Sequence, residues 1–151
     1  MIGVLIAKKL ARRSYDAINR GDMPAIMSGW RDDATFTYPG HISVSGTRKG
    51  KHEIEEWFRH FIAAVPTRTF KPLSVSVENI FDFVGNNVIA VQWEDRPVNK
   101  LGEEFYVRGV TVSTVRRGKV TSATVYILDC DVLPRLWGEA RKVPEAVNAS
   151  G

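Results

Sequence analysis

The 151 residues hold a single cysteine, Cys130. One thiol closes no internal disulfide, so stability must come from a packed core, and a reducing cytoplasm is the default compartment. Long apolar runs are also missing. No stretch approaches the roughly 20 residues a spanning helix needs, and no membrane partner is expected. The N-terminal MIGVLIAKK is apolar first and basic second, the reverse of a secretory leader. Histidine is scarce. His41 stands alone, and His52 and His60 have no Cys or carboxylate arrangement around them that makes a metal site. No metal or bound cofactor is implied. The formal charge is +4, but the basic residues fall in small groups (Lys8-Lys9, Arg12-Arg13, Arg48-Lys49-Lys51, Arg116-Arg117-Lys119) without a nucleic-acid motif. Such groups read first as solvated surface, so no nucleic-acid partner is expected.

What is present divides by period. Residues 3–20 place Ile6, Leu10, Ala17 and Ile18 at helical spacing, with Tyr15 beside them. Asn19-Arg20-Gly21 ends that helix. Asp22 caps a second, short helix with Pro24 in its first turn, and Ile26, Met27 and Trp30 form its apolar side. Ala34–Tyr38 alternates as a strand, with Phe36 and Tyr38 on one face, and Pro39-Gly40 stops it. Residues 41–50 are expected as a loop or small hairpin over a cavity mouth. A third helix covers 51–65, with Ile54, Trp57, Phe58, Phe61 and Ile62 as its stripe. From Phe70 the period is two, and four long strands are expected. Leu73, Val75, Val77, Asn79, Phe81 and Phe83 share one parity, and Gly85-Asn86-Asn87 reads as a hairpin turn. Ile89, Val91, Trp93 and Asp95 share a face of the next strand. A long hairpin turns at Arg117-Gly118 between residues 104–115 and 119–129. The expected unit is one domain over 1–142 with a flexible tail over 143–151.

The order and spacing of Tyr-x-Ala-Ile-Asn-x-Gly-Asp at 15–22, Asp-Asp-Ala-Thr at 32–35, Ser45-Gly46-Thr47 before Lys49-Gly50-Lys51, and the Arg117–Val120 turn resemble the nuclear transport factor 2-like superfamily. Its members include ketosteroid isomerases, SnoaL-like polyketide cyclases and limonene epoxide hydrolases. The resemblance spans roughly residues 5–140 and implies an α+β fold. In that fold a strongly curved, mainly antiparallel sheet wraps three N-terminal helices into a cone with a central cavity. It also implies a homodimer through the outer sheet face, with Gln92, Glu94, Tyr106, Arg108, Val110, Val112 and Tyr126 as contact candidates.

The catalytic patterns of the named enzymes are broken here. Ser14 stands where ketosteroid isomerases carry a catalytic Tyr. Tyr38-Pro39 replaces their Asp before a Pro, and a phenol with pKa near 10 cannot replace a carboxylate base at pH 7. Their oxyanion-hole acid would fall near Thr111. The Arg-x-Asp pair of limonene epoxide hydrolases reads Arg108-Gly109-Val110. The remaining catalytic candidates are Asp95, Asp129 and Tyr38. Asp95 either faces the cavity with Trp93 or ends its strand in a surface ion pair near Arg96. Asp129 either faces inward, as the resemblance implies, or caps the helix starting near Val132. Candidate ligand contacts are Tyr15, Trp30, Phe36, Trp57, Phe58 and Phe61 from the N-terminal half, and Val91, Trp93 and Thr111 from the sheet. A small apolar molecule is the expected partner. Cofactor-independent acid–base catalysis, a carrier or sensor, and a protein-interaction module all remain open.

Overall fold

The structure is a computed structural model that describes residues 2–81 and 85–139. The expected tail, 143–151, and Phe83 lie outside the described residues. Helix α1 (Ile2–Arg20) is followed by α2 (Met23–Ser28), β1 (Trp30–Tyr38), β2 (Gly46–Lys49) and α3 (Lys51–Ala64). Then come β3 (Lys71–Val77), β4 (Asn86–Asp95), β5 (Val107–Arg116) and β6 (Lys119–Ile127). A 3₁₀ turn (Cys130–Val132) leads into the short α4 (Leu133–Leu136). The strands form one sheet in the order β2-β1-β6-β5-β4-β3, antiparallel except where β1 runs parallel to β6. The expected α+β architecture, a curved and unclosed sheet holding helices on one face, is what forms.

The turn between α1 and α2 shows why its residues occur together. Gly21 sits at φ 65°, where a side chain would be strained. Asp22 accepts the amide of Ala25 at 3.1 Å, capping α2. Asn19 pairs reciprocally with the backbone of Phe70, accepting its N–H at 2.8 Å and donating to its carbonyl at 3.0 Å. The motif therefore joins the helical layer to the first strand of the large meander. Arg68, only 7% exposed, reinforces the joint. Its guanidinium donates to the carbonyls of Ile18 (2.8 Å) and Asn19 (3.3 Å) at the end of α1, and to Ile62 (3.4 Å) and Val65 at the end of α3. A cation at two helix C-termini satisfies carbonyls that would otherwise be orphaned and opposes both dipoles.

Several local expectations need correction. Trp30 does not close α2; it opens β1, because Gly29 ends the helix and its carbonyl accepts the Val120 amide at 2.8 Å. The strand expected over Ala34–Tyr38 starts earlier, at Trp30, and includes Asp32-Asp33. They ride a bulge, the pairing with β6 jumping from Trp30↔Val120 to Thr35↔Ser122. On α1 the expected Ala17 is buried together with Ala7, Ala11 and Tyr15, while Ile6 is 38% exposed. Leu73 is 47% exposed because the β3–β4 register shifts between Pro72 and Ser74. Asn86 and Asn87 are not turn residues but the start of β4, paired with Arg116 and Val115. Asn79 does not continue the alternating strand face. β3 has ended before it, and the buried Asn87 side chain accepts the Asn79 N–H at 3.0 Å and donates to its carbonyl at 2.7 Å. The loop over 41–45 does not cover a cavity mouth. Val44 accepts the indole N–H of Trp57 at 3.0 Å and Ser43 binds the Glu139 carboxylate, which puts the loop beside α4 at the closed end.

Candidate functional site

Between the helices and the concave sheet lies a cavity of about 530 Å³. Its size follows from the sequence. α1 offers Ala7 and Ala11, α2 offers Ala25, and β6 offers Ala123, so four positions facing the space carry only a methyl group. Large rings fill the far end instead. Phe36 and Tyr38 from β1 meet Trp57 from α3 at centroid distances of 4.6 and 4.8 Å, and Trp137 lies 5.4 Å from Trp57 and from Phe61. Leu133 is fully buried and Leu136 nearly so, which makes the C-terminal turn the plug of the cone. The spacing of Leu133, Leu136 and Trp137 is helical and signals this, although the sequence reading did not select them.

Asp95 takes the inward option. Alternation along β4 buries Asn87, Ile89, Val91, Trp93 and Asp95 in turn, and Asp95 lines the cavity at 3% exposure. Among the described residues no cation lies within ion-pair distance of it. Arg96 points away and stacks on the Tyr106 ring at 4.6 Å. The carboxylate instead accepts the Thr69 amide at 2.7 Å and the Thr69 hydroxyl at 3.3 Å. Loss of hydration outweighs these bonds and the more distant Arg68 charge, and pushes the Asp95 pKa up to about 6.

Two hydroxyl centres accompany it. Thr111 on β5 accepts from the Tyr15 hydroxyl at 3.2 Å and from the Trp93 indole at 3.0 Å. Both lone pairs are then used, and the Thr111 proton is left to donate. Trp93 reaches Thr111 because its ring passes over Gly109, where a Cβ would lie 2.4 Å from Trp93 Cζ2. Tyr38 accepts the Trp137 indole N–H at 3.2 Å, and its own proton has no acceptor among the described residues. Burial raises both phenols, Tyr15 to about 12 and Tyr38 further, so each stays protonated. The Asp95 charge is close enough to contribute to the rise at Tyr38.

The candidates thus divide. Tyr15, Trp30, Phe36, Tyr38, Trp57, Phe58, Phe61, Val91, Trp93, Asp95 and Thr111 all line the one cavity. Asp129 does not. It is exposed and accepts the Asp131 amide at 3.1 Å, capping the 3₁₀ turn. Its position at a strand-to-turn junction, where the short acceptor side chain satisfies a free amide, decided the matter. Among the described residues no group of three His, Cys, Asp or Glu is placed to hold a metal ion, and no helix is long and apolar enough to cross a membrane.

Known proteins of this shape are numerous. An NTF2-like protein of unknown function from Burkholderia pseudomallei superposes with TM-score 0.73 at 22% identity, over 87% of this chain and 96% of that one. TerC, crystallised with polyporic acid, gives 0.68 at 20% identity, over 89% and 99%. A ketosteroid isomerase-like protein from Erwinia carotovora gives 0.67 at 16%, over 83% and 96%. At such identities the likeness is one of fold alone. No curated protein sequence matches the chain. The sequence profile of the SnoaL-like domain, however, matches residues 11–123. With the curved sheet, the helical layer and these neighbours, that match identifies the chain as a SnoaL-like domain protein of the nuclear transport factor 2-like superfamily.

Proposed function

We propose that the protein binds a small, largely apolar molecule in the cavity and moves a proton on it, with Asp95 as the base. The observation that carries this reading is a carboxyl group with pKa about 6, buried beside Trp93 in the wall of a cavity large enough for a fused-ring compound. At pH 7 the group is about 90% ionised, yet basic enough to take a proton from a carbon next to a carbonyl or from an attacking water. Thr111 and Tyr38 are the donors available to an oxygen that gains charge in that step. Both are held by indole N–H groups before any ligand arrives, so little reorganisation is needed. The reaction class is isomerase, cyclase, lyase or hydrolase, with no cofactor required.

A carrier or sensor is the second reading. It is favoured by the wall's polar groups, since every buried polar side-chain atom among the described residues already has at least one hydrogen bond. One experiment orders the two. Native mass spectrometry of the purified protein identifies a retained ligand, which is then incubated with protein in D₂O. Exchange of a carbon-bound hydrogen that is lost in Asp95→Asn supports catalysis, and retention without exchange supports the carrier. A protein that retains nothing and binds no apolar probe would remove both.

A further inference from the structure

The exposed residues that line the cavity come from α1, the end of α2 and the β5–β6 turn, which marks its mouth there, and that rim is positively charged. Arg13 and Arg20 on α1 and Arg117 and Lys119 on the turn border it, against a single carboxylate, Asp16. Arg20 is partly answered by Asp22 at 3.8 Å. Arg13, Arg117 and Lys119 enter none of the ion pairs among the described residues. Three uncompensated cations thus ring the entrance to an apolar chamber.

The turn supplies an independent observation. Arg116 pairs with Lys119, so Arg117-Gly118 is a two-residue hairpin loop, and both residues have positive φ, 50° and 75°. Gly118 is ordinary there. The first position of such a loop favours Asn, Asp or Gly, and a longer side chain is strained. Arg117 is the one described residue other than glycine with positive φ. The chain keeps a guanidinium at the mouth against the local backbone preference.

We infer that the ligand is an amphiphile, an apolar ring body lodged in the cavity with an anionic group held at the Arg13–Arg117–Lys119 rim. This rests on the small-molecule reading above and adds the charge and the orientation of the ligand. A carboxylate, a sulfonate or an ionised phenol has the required chemistry, since guanidinium groups donate paired hydrogen bonds to such oxygens. The apolar end then reaches toward Thr111 and Asp95. An anionic group is turned away from the Asp95 carboxylate and toward solvent-facing cations, so only one orientation is favoured.

Two dyes with the same rings test it: 8-anilinonaphthalene-1-sulfonate and uncharged N-phenyl-1-naphthylamine, titrated by fluorescence. The anionic dye should bind at one site and more tightly than the neutral one at low salt, and raising NaCl should erase that advantage. Arg117→Asn should weaken the anionic dye about threefold, as expected for one exposed charge contact, and leave the neutral dye unchanged. Because Asn suits the turn, its melting temperature should not fall, which excludes misfolding as the cause. Adding Arg13→Gln and Lys119→Gln should deepen the loss for the anionic dye alone. Equal binding of the two dyes, insensitive to salt and to all three substitutions, would overturn the rim inference while leaving the cavity reading intact. Failure of both dyes to bind the unaltered protein would overturn both readings.

Discussion

Asp95→Asn tests the site through stability, without any knowledge of the ligand. In the folded chain the carboxyl titrates at about 6 rather than at its ordinary value of 3.8. The folded state therefore holds more protons than the unfolded state between these values, and stability must fall as pH rises through that window. At about 1.36 kcal/mol per pH unit, ionised Asp95 costs the fold on the order of 3 kcal/mol at pH 7. Asparagine retains an acceptor for the Thr69 amide and carries no charge. The variant should therefore be more stable than the natural protein at pH 7 by about 1–3 kcal/mol, with the lower end allowing for an imperfect fit of the new amide. It should lose the decline in stability between pH 4 and 6. Urea unfolding followed by tryptophan fluorescence across pH 4–8 measures both quantities. If the variant is less stable at pH 7, and the natural protein gains stability from pH 4 to 6, the carboxylate is stabilised by Arg68 after all. The argument for a poised base then fails.

Two further perturbations probe the walls. Gly109→Ala places a methyl group 2.4 Å from Trp93 Cζ2 and 2.5 Å from the Tyr126 carbonyl oxygen, neither of which yields without disturbing the ladder. A loss of about 2–3 kcal/mol and an altered tryptophan spectrum are expected, and unchanged unfolding would contradict the close approach. On the outer face, Gln92, Val110 and Tyr126 lie in register across β4, β5 and β6, and Tyr126 is 58% exposed. We propose that this face pairs with a second copy. Light scattering at micromolar concentration should return twice 16.9 kDa, and Val110→Lys should reduce it to one; a monomeric natural protein would refute the pairing.

The fold was legible because local signals agreed with one another. Period changes at Phe70, Gly21 and Asp22 mark a helix break, and β4 alternation carries straight from Ile89 to a buried Asp95. The misreadings within the strands share one cause. Where a strand bulges or a side chain replaces a ladder bond, as at Leu73, at Asp32-Asp33 and at the Asn79–Asn87 pair, parity no longer reports the face. Asp129 illustrates a different limit. Its sequence position fits a cavity group and a cap equally well, and only the geometry of the following turn separates them. Arg68 gave no signal because its partners are backbone carbonyls, which every residue carries.

The parallel pairing of β1 with β6 has a consequence for the chain as it is made. Thr35 pairs with Ser122, so the first long strand finds its inner neighbour only when the last one exists. At roughly 5–20 residues per second, a ribosome needs about 4–17 seconds to cover that interval. Until then the ring-rich stripe on α3 lacks part of its cover, because Trp137, which packs on Trp57 and Phe61, follows β6 in the chain. Contacts this distant in sequence also close slowly, on the millisecond-to-second scale of strand-dominated folds. The newborn polypeptide therefore holds an incomplete sheet for several seconds, and the chamber closes only once β6 has been made.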